Sequence, residues 1–123
     1  MATAKTTEVT LDAGGKVLGR IASEAASYLR GKRDPLHEPH LMPTCKVIIK
    51  NAGSVYVTGR KMTQEGRERY SGFHSGLRKP TYGDVFKKDP RKFVFDAVAG
   101  MIPRNRLKDH ILKNLVIYVG DEK

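Results

Sequence analysis

The sequence predicts an α/β fold with at least some parallel strand pairing. Three observations carry this reading. A short alternating segment, "EVTLDA", is followed at once by a helical apolar period over residues 17–30. A β-branched run, "KVIIK", has the composition of a central strand. A second such run, "LVIYV" at 115–119, is reached only after a series of helical segments. Strands that are separated by helices return in the same direction through crossovers, which is the pattern of a sheet with parallel pairs. At 123 residues the chain has the length of one ordinary domain, expected to span 1–123 with residues 1–7 as a flexible N-terminus.

Taken in order, Glu8 to Ala13 reads as a strand that ends in a turn at Gly14 and Gly15. Leu18, Ile21, Ala22, Ala25 and Leu29 then fall on one helical face, so a helix is predicted from Val17 to Arg30, stopped by Gly31. The stretch "GKRDPLHEPHLMPT" contains three prolines and is a loop. After "KVIIK", pattern alone makes Val55 to Thr58 the second arm of a hairpin. From Gly59 to Pro80 the chain is polar, basic and dotted with glycine, with "RERYS" as a possible edge strand. Thr81 and Asp84 have capping-box spacing for a short helix to Lys88. Asp89-Pro90 has the chemistry of an N-cap and first turn. The helix that follows is expected to bury Phe93, Val94, Ala97, Val98 and Met101. Leu107, Ile111 and Leu112 mark a third helix beyond Pro103, and "LVIYV" closes the chain as a buried strand.

Charge sets the partner class. Lys and Arg number 23 against 13 Asp and Glu, a net charge of +10. On a small domain this excess points to a polyanion, most often nucleic acid. A membrane surface would require a basic amphipathic helix or a lipid anchor, and neither is evident. No signal-peptide core or membrane-length apolar run is present, and the single Cys45 cannot form an internal disulfide. These features are those of a cytoplasmic protein; a processed organellar protein would look similar.

The stretch "GGKVLGRIAS" invites comparison with a phosphate-binding loop, because Gly14 and Gly19 have the spacing of the first two glycines. Arg20 and Ile21 stand where the lysine and the Mg²⁺-binding hydroxyl are needed, so the nucleotide reading fails on chemistry. Gly19 is instead expected to be small for close packing. Lys16 and Arg20, near the helix start, are candidates for RNA phosphates. His37, His40 and Cys45 match no standard zinc spacing. No metal, cofactor or small-molecule substrate is expected, and Ser71, His74, Ser75 and Asp84 do not make a convincing nucleophilic triad.

The strongest chemical signal is "GRERYSGFHSGLRK", residues 66–79. Arg67, Arg69, Arg78 and Lys79 can donate to phosphate oxygens, while Tyr70, Phe73 and His74 can stack on bases or pack beneath riboses. Ser75 lies in the same segment, and Arg60 and Lys61 precede it. A second basic focus, Arg104, Asn105, Arg106 and Lys108, stands at a helix start, where cations oppose the helix dipole unless an anion binds. Lys32, Arg33 and His40 lie in the proline-rich loop. All of these are candidate RNA-binding residues. A small RNA-processing or nucleotide-using enzyme is the alternative from another class, resting on the glycine turn and the His-containing loops.

Together, "LDAGGKVLGRIASEAASYLRGK", "VIIKNAGSVYVTGRK", "YSGFHSGLRK" and "VAGMIPRNRLKDHILKNLVIYVGDE" resemble large-subunit ribosomal protein thirteen, the universal L-thirteen family. The loop "LRGKRDPLHEPH" resembles its bacterial and organellar branch. The resemblance implies a three-layer α/β/α fold around a mainly parallel four-stranded sheet. Its third strand would lie near residues 67–72, in place of the hairpin arm at 55–58. It also implies a non-catalytic constituent of the large subunit that binds 23S-type rRNA, supports early assembly, touches neighbouring ribosomal proteins and does not form homo-oligomers. Carried over by position, the family's basic loop falls on Arg67 to Lys79, and its Gly-Met-Leu-Pro segment on Gly100 to Pro103. Arg67 and Glu68 stand where the family has a tyrosine pair, Tyr70 where it has a histidine, and Met42 to Cys45 where it has Asp-x-Gly-Asp.

Overall fold

The structure, a computed structural model, describes residues 6–121. Strand β1 (Thr7–Asp12) leads to helix α1 (Leu18–Leu29), and strand β2 (Cys45–Lys50) to a 3₁₀ turn at Ala52–Ser54. Helix α2 (Lys61–Gln64) and the short strands β3 (Arg69–Tyr70) and β4 (Leu77–Arg78) form the basic middle of the chain. Helices α3 (Tyr82–Lys88), α4 (Pro90–Gly100) and α5 (Lys108–Leu112) then precede strand β5 (Leu115–Ile117). Thr7 is already in β1; the first five residues of the expected flexible N-terminus lie outside the described residues.

Strands β1, β2 and β5 make a parallel sheet in the order β1-β2-β5. Its register places Val9 beside Val47 and Leu115, and Leu11 beside Ile49 and Ile117. Residues two apart on a strand share a face, so these side chains form one apolar surface. It packs on Ile21, Ala22, Ala25 and Leu29 of α1 and on Val94 and Val98 of α4 in one continuous core. On the other face Glu8, Thr10 and Asp12 are exposed, and Lys46, Ile48, Lys50 and Val116 are half-buried.

Among the described residues this sheet contains three strands, where four were expected. Pairing explains why Val55 to Thr58 is not a hairpin arm. One edge of β2 is taken by β1 and the other by β5. The pairing continues past β2 where the Ala52 and Gly53 N–H groups donate to the carbonyls of Tyr118 and Val119. The Tyr56 N–H reaches the Lys16 carbonyl at 3.0 Å, in an isolated parallel bridge between Val17 and Tyr56. Residues 67–72 do not join this sheet; Arg69 and Tyr70 pair antiparallel with Arg78 and Leu77 in a separate two-stranded sheet.

The three-layer arrangement is also not what α1 and α4 make. Both connections step across the sheet in the same direction, and right-handed crossovers then place both helices on one face. There α1 and α4 pack against each other.

The local helix signals hold. Thr81 and Asp84 form a reciprocal capping box, and the Asp89 carboxylate accepts the Arg91 N–H at 3.1 Å. Phe93, Val94 and Val98 are buried as expected, but Met101 follows α4 and is 41% exposed. Gly19 is not a packing glycine: a Cβ there would meet nothing within 4 Å.

Candidate nucleic-acid interface

The basic hairpin is held at its base by backbone contact. Gly66 and Thr81 form an antiparallel bridge, and the Tyr82 N–H donates to the Glu65 carbonyl at 2.9 Å. A Cβ on Gly66 would run into the Pro80 carbonyl, 3.0 Å from its carbon and 3.2 Å from Thr81 Cα. In the first turn of α3, a Cβ on Gly83 would lie 2.8 Å from the Met62 carbonyl oxygen. These two glycines let the stem and the α2–α3 pair meet backbone to backbone, where a side chain would force them apart.

Above this base, Arg69 is directly opposite Arg78 and Tyr70 directly opposite Leu77. The tip is closed by the Gly76 N–H donating to the Phe73 carbonyl at 3.0 Å. Gly72 and Ser75 occupy the left-handed region with φ of 84° and 56°. Phe73 and His74 meet edge to face with centroids 5.7 Å apart. Arg67, Arg69, Tyr70, Phe73, His74, Ser75, Arg78 and Lys79 are all exposed.

Lys16 and Arg20 stand at the start of α1. The Gly15 N–H donates to Ser54 and the Leu18 N–H to Tyr56, so the chain leading to Arg60 and Lys61 passes this helix end. The Ser23 hydroxyl lies 3.4 Å from Met101 Sδ, which docks the chain after α4 beside the middle of α1, three residues on from Arg20. Arg104, Asn105 and Arg106 leave from that point. They precede α5 instead of opening it; Lys108 is its first residue and Asp109 lies in its first turn. The turn itself is fixed by Asp12, whose carboxylate accepts from Asn51 Nδ2 at 2.8 Å and from the Gly14 N–H at 2.9 Å. The Asn51 amide, then the Gly14 N–H, hold the Asp12 carboxyl below its ordinary pKa.

The remaining candidates lie at the other end of α1. This helix has 12 residues and is therefore about 18 Å long. Arg33 stacks on Tyr28 at 4.4 Å from the ring centroid and donates to its hydroxyl at 3.1 Å. His40 lies 3.3 Å from Glu38. Lys32 is exposed nearby. An open hollow of about 440 Å³ is lined there by Tyr28, Arg33, Leu36, His37, Leu41 and Cys45. Burial pushes the Cys45 thiol pKa up, and no group of three or more metal-ligating side chains occurs among the described residues.

The predicted residues thus fall on the hairpin, on the start of α1 with the chain beside it, on the segment before α5, and on the loop beyond the end of α1. Among the described residues, the ion pairs involve Lys46, Lys50, Arg91 and His40. None of the candidate lysines or arginines is neutralised by a carboxylate in that set. Leu77 and Tyr56, both exposed beside these cations, were not singled out by sequence. The signal for Leu77 was its place opposite Tyr70.

A basic α/β domain with an anchored, cation-bearing hairpin is the class that fold and site define. The chain belongs to the Ribosomal protein L13 family, which matches residues 6–123. It is 44% identical to the large ribosomal subunit protein uL13 of Natranaerobius thermophilus, over 92% of this chain and 79% of that protein. The uL13 protein of Streptomyces coelicolor is 44% identical over 91% of this chain and 76% of its own length. That of Geobacter sulfurreducens is 39% identical over 97% and 87%. The chain is of the bacterial type and is a structural constituent of the large ribosomal subunit, not an enzyme. The enzyme alternative is set aside. No helix among the described residues is long and apolar enough to cross a membrane.

Proposed function

We propose that the protein binds large-subunit rRNA early in subunit assembly and holds separate RNA segments in place by charge and shape. The contact surface in this reading is the 60–80 region, with Lys16, Arg20 and residues 104–108. Lys32, Arg33 and His40 touch RNA at the far end of α1. Neighbouring large-subunit proteins are its other partners, and it acts as one copy in the cytoplasmic ribosome. The observation that carries this reading is the set of exposed lysines and arginines that form no ion pair among the described residues. In a ribosomal family, a surplus of this kind is neutralised most directly by phosphate.

Binding by phosphate neutralisation releases counterions. With about six contacts, affinity for large-subunit rRNA falls by about a thousandfold between roughly 50 and 200 mM salt. The triple variant Arg69→Glu, Arg78→Glu and Lys79→Glu lowers the slope of log affinity against log salt by at least about 3. Its melting transition stays that of the wild type, because all three side chains are exposed. An affinity that barely responds to salt, or wild-type binding by the triple variant, defeats this assignment.

A further inference from the structure

We infer that the β3–β4 hairpin recognises an unpaired nucleotide, gripping phosphate with one face and stacking a base at its aromatic tip. The inference rests on the proposed rRNA contact and deepens it by specifying the RNA: a bulge, loop or junction and not a continuous duplex.

The hairpin has two chemically different faces. Because Arg69 pairs with Arg78, both guanidinium groups project from the same face. Like charges directly opposite one another destabilise a strand pair. No carboxylate among the described residues forms an ion pair with either. The arrangement suits an anion that both can reach, and a phosphate accepts forked donation from arginine.

Tyr70 and Leu77 project from the opposite face and are 67% and 59% exposed, while Phe73 at the tip is 73% exposed. None belongs to the core or packs against it. Three large apolar side chains held in water on one small hairpin, flanked by Arg67, Arg69, Arg78 and Lys79, fit an RNA partner better than an apolar protein surface. Burying those cations against protein would leave them unpaired.

The tip is also preformed. The Ser71 hydroxyl accepts the Phe73 N–H at 3.4 Å, and the Gly76 N–H closes on the Phe73 carbonyl. A Cβ on Gly76 would clash with Ser71 Oγ and lie 2.9 Å from the Phe73 carbonyl oxygen. The edge-on contact between Phe73 and His74 leaves ring faces open. In an RNA duplex the bases are already stacked and the major groove is too narrow for side chains. An exposed ring face therefore gains a stacking partner only where a base is unpaired.

The test compares two fluorescein-labelled RNAs at one salt concentration: an uninterrupted duplex, and the same duplex with three unpaired adenosines bulged from one strand. Wild-type protein binds the bulged RNA about tenfold more tightly, the scale of one base–aromatic stack. Phe73→Ala and Phe73→Leu lose that preference, whereas Phe73→Tyr keeps it. Circular dichroism melts confirm that each variant is folded. Equal wild-type affinity for the two RNAs, or an unchanged preference in Phe73→Ala, overturns the inference while leaving rRNA binding intact. If Phe73→Ala binds both RNAs normally but enters reconstituted large subunits poorly, the aromatic face meets protein and the inference is equally overturned. Failure of the wild type to bind either probe or large-subunit rRNA defeats the underlying rRNA reading instead.

Discussion

Replacing Gly66 with alanine tests whether the hairpin is built on backbone-to-backbone contact. The added methyl would collide with the Pro80 carbonyl oxygen, and Pro80 C and Thr81 Cα lie only 3.0 and 3.2 Å away. All of these are main-chain atoms, so no side-chain rotation relieves the clash. The Gly66–Thr81 bridge has to open, and the bond from the Tyr82 N–H to the Glu65 carbonyl opens with it. Forced overpacking of this kind costs about 1–3 kcal/mol. At about 2 kcal/mol, local opening at the hairpin base becomes roughly thirtyfold more frequent. Native-state hydrogen exchange at the Tyr82 amide reads this directly. The melting temperature falls by less than the full cost, because the hairpin opens without the core. The same substitution at Gly19 is the internal contrast. That helical position has open space around its Cα, and alanine there stabilises by up to about 1 kcal/mol. Unchanged Tyr82 protection in Gly66→Ala, or equal effects at the two glycines, would falsify this reasoning.

Two further outcomes follow from the core and the β1 turn. Ile49 is fully buried in the central strand, so Ile49→Ala lowers the unfolding free energy by about 2–5 kcal/mol in urea titration; a smaller loss would mean that the sheet collapses around the gap. Asp12 has a folded pKa depressed by Asn51 and Gly14, so its contribution is present above the unfolded pKa and is lost as pH falls through the folded value. Thermal melts from neutral to acid pH therefore show a smaller acid-dependent decline in Asp12→Asn than in the wild type, and superimposable declines would remove Asp12 from this role.

How far the fold could be read in advance depended on whether each signal was local. The caps at Thr81 and Asp89 were legible because residues within three positions satisfy them. Helix α1 and strand β2 were legible because their apolar periods match one buried face and one central strand. The segment at 55–58 has equally good alternation, yet its main chain bonds to Lys16 and Leu18, some forty positions earlier in the chain. No pattern inside the segment specifies that partner, or records that both edges of β2 are already taken. Helix α2 was missed because four residues are too few for a period. The chemistry of the hairpin was visible in its composition. Its two-faced pairing was not, because register decides which residues share a face, and only the turn at 71–76 sets that register.

Helix α1 sets a fixed distance. Its buried face, Ile21, Ala22, Ala25, Ala26 and Leu29, is clamped into the core, and cations stand beyond both ends. An RNA that touches both ends has two of its segments separated by a rod whose length is written in backbone hydrogen bonds. The protein would then act as a gauge as well as a counterion. Adding one residue to α1 would lengthen the rod by only about 1.5 Å but turn its far end by about 100°. Lys32 and Arg33 would swing to another side of the domain with every charge retained. The tolerance of such a part lies in its angle more than in its charge.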